Sequence, residues 1–145
     1  MKKGGVILLL CSLAVLAFAF RGTGLRAQEG RVDIGPKEEF QKETVKPFPQ
    51  DKLVVFSDGE KVWAVSSTCT HKGCTVSWHE ADGGLACPCH GARFGKDGKV
   101  LRGPAQENLP EYAVGEDAQG HLFVDKGVTG SAGARYMLSV SKEAK

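Results

Sequence analysis

The chain carries CTHKGC at residues 69–74 and CPCHG at residues 87–91, and these two stretches are its most informative feature. Each stretch supplies one cysteine closely followed by one histidine, and residues 75–86 between them are enough for one β-hairpin. If a hairpin brings the loops together, two thiolates and two imidazoles converge on a metal centre. These four residues are Cys69, His71, Cys87 and His90. Two further cysteines, Cys74 and Cys89, are left over.

Three kinds of site compete for these residues. A structural zinc site usually takes a cysteine pair from one turn and a histidine pair from another. A zinc site of mixed ligands is an open alternative, but it leaves the extra cysteines unexplained. Two disulfides with solvated histidines are a further alternative. In a [2Fe–2S] centre of the Rieske kind, two histidines replace two cysteines on one iron. The order of residues in the two stretches fits that ligand set.

The two stretches are followed by Gly103, Pro104 and Ala105. Together the three motifs resemble the two cluster loops and the proline loop of Rieske iron–sulfur proteins, in the branch found in cytochrome bc-type quinol oxidases. The resemblance covers residues 31–126, and it implies a small antiparallel all-β domain with a Rieske [2Fe–2S] cluster. The proline loop would cover that cluster.

The resemblance implies a role for each motif residue. Cysteines would bind the inner iron and histidines the outer iron; these ligands are Cys69, Cys87, His71 and His90. Cys74 and Cys89 would form a disulfide that ties the loops together, a pair that Rieske ferredoxins and aromatic-ring oxygenases lack. In the quinol-oxidising branch, His71 and His90 would face the quinol and accept its electron and proton.

The ligand types and their neighbours bear on the reduction potential. Neutral imidazoles in place of anionic thiolates raise it into the range of about −150 to +300 mV, and each imidazole has a second nitrogen that can exchange a proton. Ala92 and Phe94 stand where the quinol-oxidising relatives carry a serine and a tyrosine that donate hydrogen bonds to sulfur. Losing both donors should lower the potential, which predicts a low-potential member suited to menaquinol. Alternatively, Ala92 and Phe94 are ordinary packing residues whose absent hydroxyls are compensated by backbone N–H groups.

Lys72 occupies the tip of the first stretch, where the quinol-oxidising relatives commonly carry an apolar residue. A charge fits an apolar docking site poorly, so Lys72 is predicted to face a partner or water. This departure leaves a second function open. The chain could be the Rieske small subunit of another periplasmic oxidoreductase, such as an arsenite-oxidase-like molybdenum enzyme, or a free-standing carrier.

Short apolar runs separated by glycine turns predict an all-β sandwich or barrel. Residues 53–56 and 62–65 flank an Asp58-Gly59 turn, which is a strong hairpin signal. Further short strands are predicted at residues 75–78, 112–114 and 122–125, and an additional strand at 135–140. Trp63 and Trp78 are predicted to lie in the core, whereas His79 and His121 are assigned to solvent or structure rather than metal.

The amino terminus predicts a targeting segment at residues 1–20, with an apolar helix after Lys2 and Lys3. The positive-inside rule then places the cluster domain on the periplasmic side of a bacterial cytoplasmic membrane, tethered by a single anchor. Cleavage near Ala19 and release into the periplasm is the alternative. Residues 21–30 are predicted to be a flexible linker.

The chain as a whole fits one modest domain. It has 145 residues, of which 41% are hydrophobic and 25% charged, and its net charge of +2 is too small to indicate nucleic acid binding. Residues 31–126 are predicted to form the domain and 127–145 a carboxyl-terminal extension. The function predicted is electron transfer from quinol, bound at a cytochrome b-type subunit, to a c-type cytochrome.

Overall fold

The computed structural model describes residues 30–130 and 135–138. The predicted targeting segment at residues 1–20 lies outside the described residues, as do the linker up to residue 29 and the tail beyond residue 138. Among the described residues, no helix has the length and apolar character needed to cross a membrane.

The described part of the chain is built from short antiparallel strands with two 3₁₀ turns at Lys37–Phe40 and Glu80–Asp82. The strands are β1 (Arg31–Pro36), β2 (Glu43–Phe48), β3 (Leu53–Asp58), β4 (Lys61–Ser66), β5 (Ser77–His79), β6 (Gly84–Ala86), β7 (Arg93–Phe94), β8 (Val100–Arg102), β9 (Glu111–Glu116), β10 (His121–Thr129) and β11 (Tyr136–Met137). The predicted all-β class is confirmed.

The strands form two sheets. The larger sheet has the order β1, β10, β9, β4, β3, β2, and β11 pairs with β4 beyond the point where β9 leaves it. The smaller sheet has the order β5, β6, β7, β8, which is the order along the chain. The smaller sheet is therefore a local meander inserted between β4 and β9. One cysteine–histidine stretch precedes β5 and the other connects β6 to β7.

The predicted hairpin over residues 53–65 is confirmed as β3 and β4. Gly59 has a φ of +89°, a conformation that favours glycine. The Asp58 carboxylate accepts hydrogen bonds from the N–H groups of Glu60 and Lys61 at 2.9 and 2.8 Å. These bonds hold the carboxylate in its charged form and lower the pKa of Asp58.

Side chains of β3 and β4 alternate between two cores, because successive residues of a strand point to opposite faces. One face packs with β1, β10 and the 3₁₀ turn; its largest members include Leu53, Val55, Val62, Phe40, Ile34 and Leu122. The other face packs against the smaller sheet, and its members include Val54, Phe56, Trp63, Val65, Cys69 and Cys87. The β3–β4 hairpin therefore separates the two cores, and the smaller sheet packs against one of its faces.

Both tryptophans belong to the second core, as predicted. Trp63 is buried and stacks on Phe56 with ring centroids 5.7 Å apart, while Trp78 is half-buried and meets the edge of the same ring at 5.6 Å. The Trp63 indole N–H donates to the carbonyl oxygen of Lys96 at 2.8 Å.

The strand predicted at residues 75–78 begins two residues later than expected. Thr75 forms only an isolated bridge with Thr68, and the regular strand is β5, Ser77–His79. The reason is that Val76 is fully buried and donates its N–H to Ser67. This contact ties the segment to Ser67, directly after β4, before the chain turns into the smaller sheet.

The short strand β11 lies within the segment predicted at residues 135–140. Arg135 forms an ion pair with the Glu111 carboxylate at 3.0 Å and lies 5.0 Å above the Trp63 ring centroid. Leu138 is buried in the first core, and its N–H donates to Glu60 at 2.8 Å. This segment therefore closes over the outer end of the β3–β4 hairpin.

Candidate metal centre

The two cysteine–histidine stretches lie at the open end of the β5–β6 hairpin. We call residues 69–74 loop one and residues 87–92 loop two. Loop one precedes β5, whereas loop two follows β6 and leads into β7. Because β5 and β6 pair antiparallel, with Ser77 opposite Ala86, the hairpin brings the two loops together as predicted.

Both loops share one backbone hydrogen-bond pattern. In each, the N–H of the opening cysteine donates to the carbonyl five residues later, and the glycine four residues later donates back to the cysteine carbonyl. The distances are 2.8 and 2.8 Å in loop one and 2.9 and 3.1 Å in loop two. Gly73 and Gly91 occupy equivalent positions with φ of +73° and +74°. The loops are therefore closed, self-supporting turns that present similar edges.

The four predicted ligands separate into a buried pair and an outer pair. Cys69 and Cys87 are free thiols, only 2% and 3% exposed. His71 is half-buried and His90 is exposed. Their rings are perpendicular, with centroids 5.0 Å apart. Sulfur lies inside and nitrogen outside, which is the disposition expected for a two-iron cluster with one buried and one surface-facing iron.

Burial raises the pKa of the Cys69 thiol, and the neighbouring Cys87 thiol raises it further. The backbone N–H groups of His71 and Lys72 face the Cys69 sulfur and lower the pKa in part. Burial therefore disfavours the thiolate form of Cys69 in the absence of a cation. Metal binding would relieve that cost, since thiolates are the binding form.

Cys74 and Cys89 form a disulfide that links the two loops, with their Cα atoms 6.6 Å apart. Cys74 is half-buried and Cys89 is exposed. The sulfurs of Cys74, Cys87 and Cys89 all lie within 4.8 Å of one another. Sulfurs joined in a disulfide cannot ionise to thiolates. Among the described cysteines, the free thiols are therefore Cys69 and Cys87.

The third motif lies beside the loops, between β8 and β9. Ala105 is buried in the same core as the two free thiols, while Gly103 and Pro104 are exposed, with a cis peptide bond between them. The Thr70 hydroxyl donates to the carbonyl of Glu107 at 2.6 Å. This bond ties loop one to the proline loop.

Sequence reasoning did not single out Thr70. A hydroxyl residue between two metal-ligand candidates was the available signal, but its acceptor lies 37 residues away along the chain.

Ala92 and Phe94 are both fully buried in the core that holds the free thiols. The Cys87 N–H donates to the Ala92 carbonyl at 2.9 Å. Both residues therefore pack and support loop two. Neither side chain offers a hydrogen-bond donor to sulfur.

Lys72 and the two histidines outside the motifs differ in whether they have a charged partner. Lys72 is exposed at the tip of loop one and has no ion-pair partner within the described residues. Of the two histidines outside the motifs, His79 contacts the Asp82 carboxylate at 2.8 Å, and His121 contacts Asp33 at 3.2 Å. Both therefore have carboxylate partners of their own.

Two buried thiols beneath two outward imidazoles, on loops held by their own hydrogen bonds, fit a two-iron cluster better than a single metal ion. Comparison with known proteins agrees. The family model described as "Rieske [2Fe-2S] domain" matches residues 30–113, more than half of the chain. The chain belongs to the Rieske [2Fe–2S] family, and its cofactor is a Rieske-type [2Fe–2S] cluster.

Curated relatives include iron–sulfur subunits of cytochrome b6-f complexes. The chain is 43% identical to that of Chlorobaculum tepidum over 83 residues, which is 56% of this chain and 46% of the relative. It is 31% identical to the chloroplastic subunit of Oryza sativa subsp. japonica over 103 residues, 71% of this chain and 46% of the relative. The chain thus spans about half the length of these relatives.

Among solved structures, the plasma-membrane Rieske protein of the cyanobacterium Synechocystis PCC 6803 is 38% identical, with a TM-score of 0.49. The match covers 64% of this chain and 97% of that protein.

Proposed function

We propose that Cys69 and Cys87 bind the inner iron of the cluster and that His71 and His90 bind the outer iron. The burial of the two thiols and the 5.0 Å separation of the two imidazole rings support this assignment. The disulfide between Cys74 and Cys89 would hold the loops at the spacing the cluster needs. The proline loop, tied to loop one through Thr70, would cover the side of the site.

In this arrangement the protein acts as a one-electron carrier. A bound [2Fe–2S] cluster would supply the one-electron chemistry, and imidazole ligation by His71 and His90 would raise its potential relative to an all-thiolate cluster. The exposed position of His90 leaves its ring within reach of a partner. With one ring nitrogen bound to iron, the other ring nitrogen of His71 and of His90 would remain available to take up a proton.

We infer that the electron donor is a quinol bound at a cytochrome b-type subunit and that the acceptor is a c-type cytochrome. Quinol oxidation releases electrons and protons together, and a histidine-ligated cluster can accept both. The curated relatives are subunits of cytochrome b6-f complexes, which supports this class of partner. Residues 31–126 would form the electron-carrying domain and residues 1–20 its membrane anchor, with the domain on the periplasmic side.

One observation favours a second candidate function. Lys72 is exposed at the tip of loop one without a carboxylate partner among the described residues. Placing an ammonium group against an apolar quinol site would cost desolvation energy. A Rieske subunit of another periplasmic oxidoreductase, such as an arsenite-oxidase-like enzyme, or a free-standing carrier would avoid that cost.

A pH-resolved redox titration monitored by EPR tests the proposal. The expected result is a Rieske-type signal whose potential falls above neutral pH by up to about 59 mV per pH unit for each proton coupled to the electron. His90→Ala should abolish the signal, whereas the matched variant His79→Ala should keep it, because His79 lies outside the loops and contacts Asp82.

A potential that does not change with pH would rule out histidine-coupled proton transfer. A signal that survives in the His90→Ala variant would overturn the ligand assignment. To separate the two candidate functions, reduction by a menaquinol analogue is measured with and without a cytochrome b partner.

A further inference from the structure

Strand β8 and the start of the proline loop present four consecutive exposed residues, from Leu101 to Pro104. We call these four residues the β8 patch. Leu101 is 68% exposed, the most exposed of the large apolar side chains in the described part of the chain. A single exposed leucine is common on protein surfaces. Its meaning therefore depends on the backbone and the charges around it.

A β-bulge in β8 determines how these side chains are presented. Phe94 pairs with Val100, and Arg93 pairs with Arg102. Leu101 is therefore the extra residue of the bulge. Bulges are frequent at sheet edges, where they change the direction of a side chain, and β8 is an edge strand of the smaller sheet. The bulge places Arg102, rather than Leu101, directly opposite Arg93.

Only one of the two opposed arginines is neutralised. Like charges directly opposite each other destabilise a strand pair. Arg93 forms an ion pair with the Asp82 carboxylate, whereas Arg102 has no carboxylate partner within the part of the chain that the structure describes. These three side chains and Leu101 line one groove of about 310 Å³. Arg102 thus offers an unpaired cation beside an exposed apolar side chain.

The segment that carries the metal centre is basic, while the rest of the described chain is acidic. Between residues 69 and 105, basic residues outnumber acidic ones: Lys72, Arg93, Lys96, Lys99 and Arg102 against Glu80, Asp82 and Asp97. In the remaining described residues, acidic residues outnumber basic ones. Three of the five cations have carboxylate partners. Within the described residues, Lys72 and Arg102 are left to attract a carboxylate of another molecule.

The β8 patch adjoins both cluster loops. Arg93 lines the groove of the patch and also a second groove against loop two, beside Cys87 and Gly91. The proline loop is tied to loop one through Thr70. A protein seated on the patch would therefore lie beside the loop that carries the exposed His90.

We propose that the β8 patch is a docking surface for an acidic electron-transfer protein. Leu101 packs against an apolar area of the partner, and Arg102 pairs with one of its carboxylates. Lys72 adds electrostatic attraction from the tip of loop one. Charges at the rim of an interface accelerate the encounter, and apolar side chains supply buried contact area. The inference rests on the proposed electron-carrier function and adds to it the chemistry of the partner's surface.

Charge argues against a second copy of the chain as the occupant. In a symmetric dimer formed through the β8 patch, the same surface of both copies would meet. Arg102 would then lie close to a second, equally unpaired Arg102, and like charges brought together across an interface cost free energy. An acidic partner removes that cost and supplies the carboxylate that Arg102 lacks.

Two matched probes test the inference. They are native cytochrome c, whose surface is basic, and the same cytochrome after succinylation of its lysines, which makes its surface acidic. The reduced full chain, with its cluster, is mixed with each oxidised cytochrome in a stopped-flow instrument at low ionic strength. Each haem iron accepts one electron from the chain, and haem absorbance reports the rate. The acidic form should be reduced about tenfold faster than the basic form, and added salt should decrease that difference.

Variants then locate the contact. Arg102→Gln should slow reduction of the acidic cytochrome about threefold or more, whereas Lys42→Gln, which removes the same charge at an exposed site beside the Gly59 turn, should not. Leu101→Ser should weaken calorimetric binding of the acidic cytochrome about threefold or more, because apolar contact area is lost. Its matched control is Val128→Ser, at another exposed apolar residue on β10. The EPR signal of the cluster verifies that each variant is folded.

Equal rates and affinities with the two cytochromes, or values that Arg102→Gln leaves unchanged, would overturn the inference and leave the carrier function intact. Faster reduction of the basic cytochrome would also overturn it. Self-association that Leu101→Ser abolishes, without binding of the acidic cytochrome, would assign the patch to a dimer and overturn it as well. If the acidic cytochrome binds with the expected dependence on Arg102 but neither cytochrome is reduced, the proposed function fails and the docking surface is supported.

Discussion

Replacing both Cys74 and Cys89 by alanine removes the disulfide without leaving an unpaired thiol. We expect the metal-free double variant to keep its fold, because each loop retains its own backbone hydrogen bonds and Thr70 still ties loop one to the proline loop. The loss should act mainly through the unfolded chain, which regains the freedom that the cross-link removes.

The magnitude follows from the length of the closed loop. The two cysteines are 15 residues apart. A cross-link over about 15 residues reduces the entropy of the unfolded chain by an amount worth about 3 kcal/mol at 25 °C. With a urea dependence of about 2 kcal/mol per M, typical of a small domain, the unfolding midpoint should fall by about 1.5 M.

The assay is urea unfolding of the full chain, followed by tryptophan fluorescence, with a chelator present to exclude metals. The wild-type chain treated with a dithiol is the internal control, and its unfolding curve should coincide with that of the double variant. A loss below about 1 kcal/mol would refute the reasoning, because it would mean that the disulfide does little to restrict the unfolded chain.

Three further predictions concern the surroundings of the site. Phe94→Tyr, alone or with Ala92→Ser, should raise the reduction potential by about 40–85 mV in an EPR-monitored titration. A hydroxyl that donates to sulfur favours the reduced cluster by about 1–2 kcal/mol, and about 1.4 kcal/mol corresponds to 59 mV. An unchanged potential would contradict this reasoning. Asp58→Ala should lower the free energy of unfolding by about 1 kcal/mol at neutral pH. The N–H groups of the turn lower the pKa of Asp58. The stabilisation by its carboxylate is therefore complete above about pH 4 and declines as pH falls through the folded-state pKa. Urea unfolding should show a smaller loss of free energy in Asp58→Ala at pH 3 than at pH 7. Arg135→Ala should lower the free energy of unfolding by about 1–3 kcal/mol in the same assay, because it leaves the Glu111 carboxylate, whose side chain is 10% exposed, without its partner. A decrease below about 0.5 kcal/mol would contradict a stabilising role of the ion pair.

Features that depend on neighbouring residues were accessible from the sequence. The Asp58-Gly59 pair specifies the β3–β4 turn, because the carboxylate and the glycine act within three residues of each other. The continuous apolar run Leu53–Phe56 in β3 is typical of a strand buried on both faces. The spacing of Cys69 and His71, repeated with one more residue in loop two, leads to the proposed ligand set by the same local reasoning.

Features that depend on distant residues needed the fold. The Thr70 hydroxyl meets an acceptor 37 residues away, and Arg135 meets Glu111 across 24 residues and then covers Trp63. No local pattern encodes such contacts, since they depend on how the two sheets pack. The same holds for the cysteines. Their identities were visible in the sequence, but the approach of the Cys87 sulfur to the Cys74–Cys89 disulfide arises only when the β5–β6 hairpin brings the loops together.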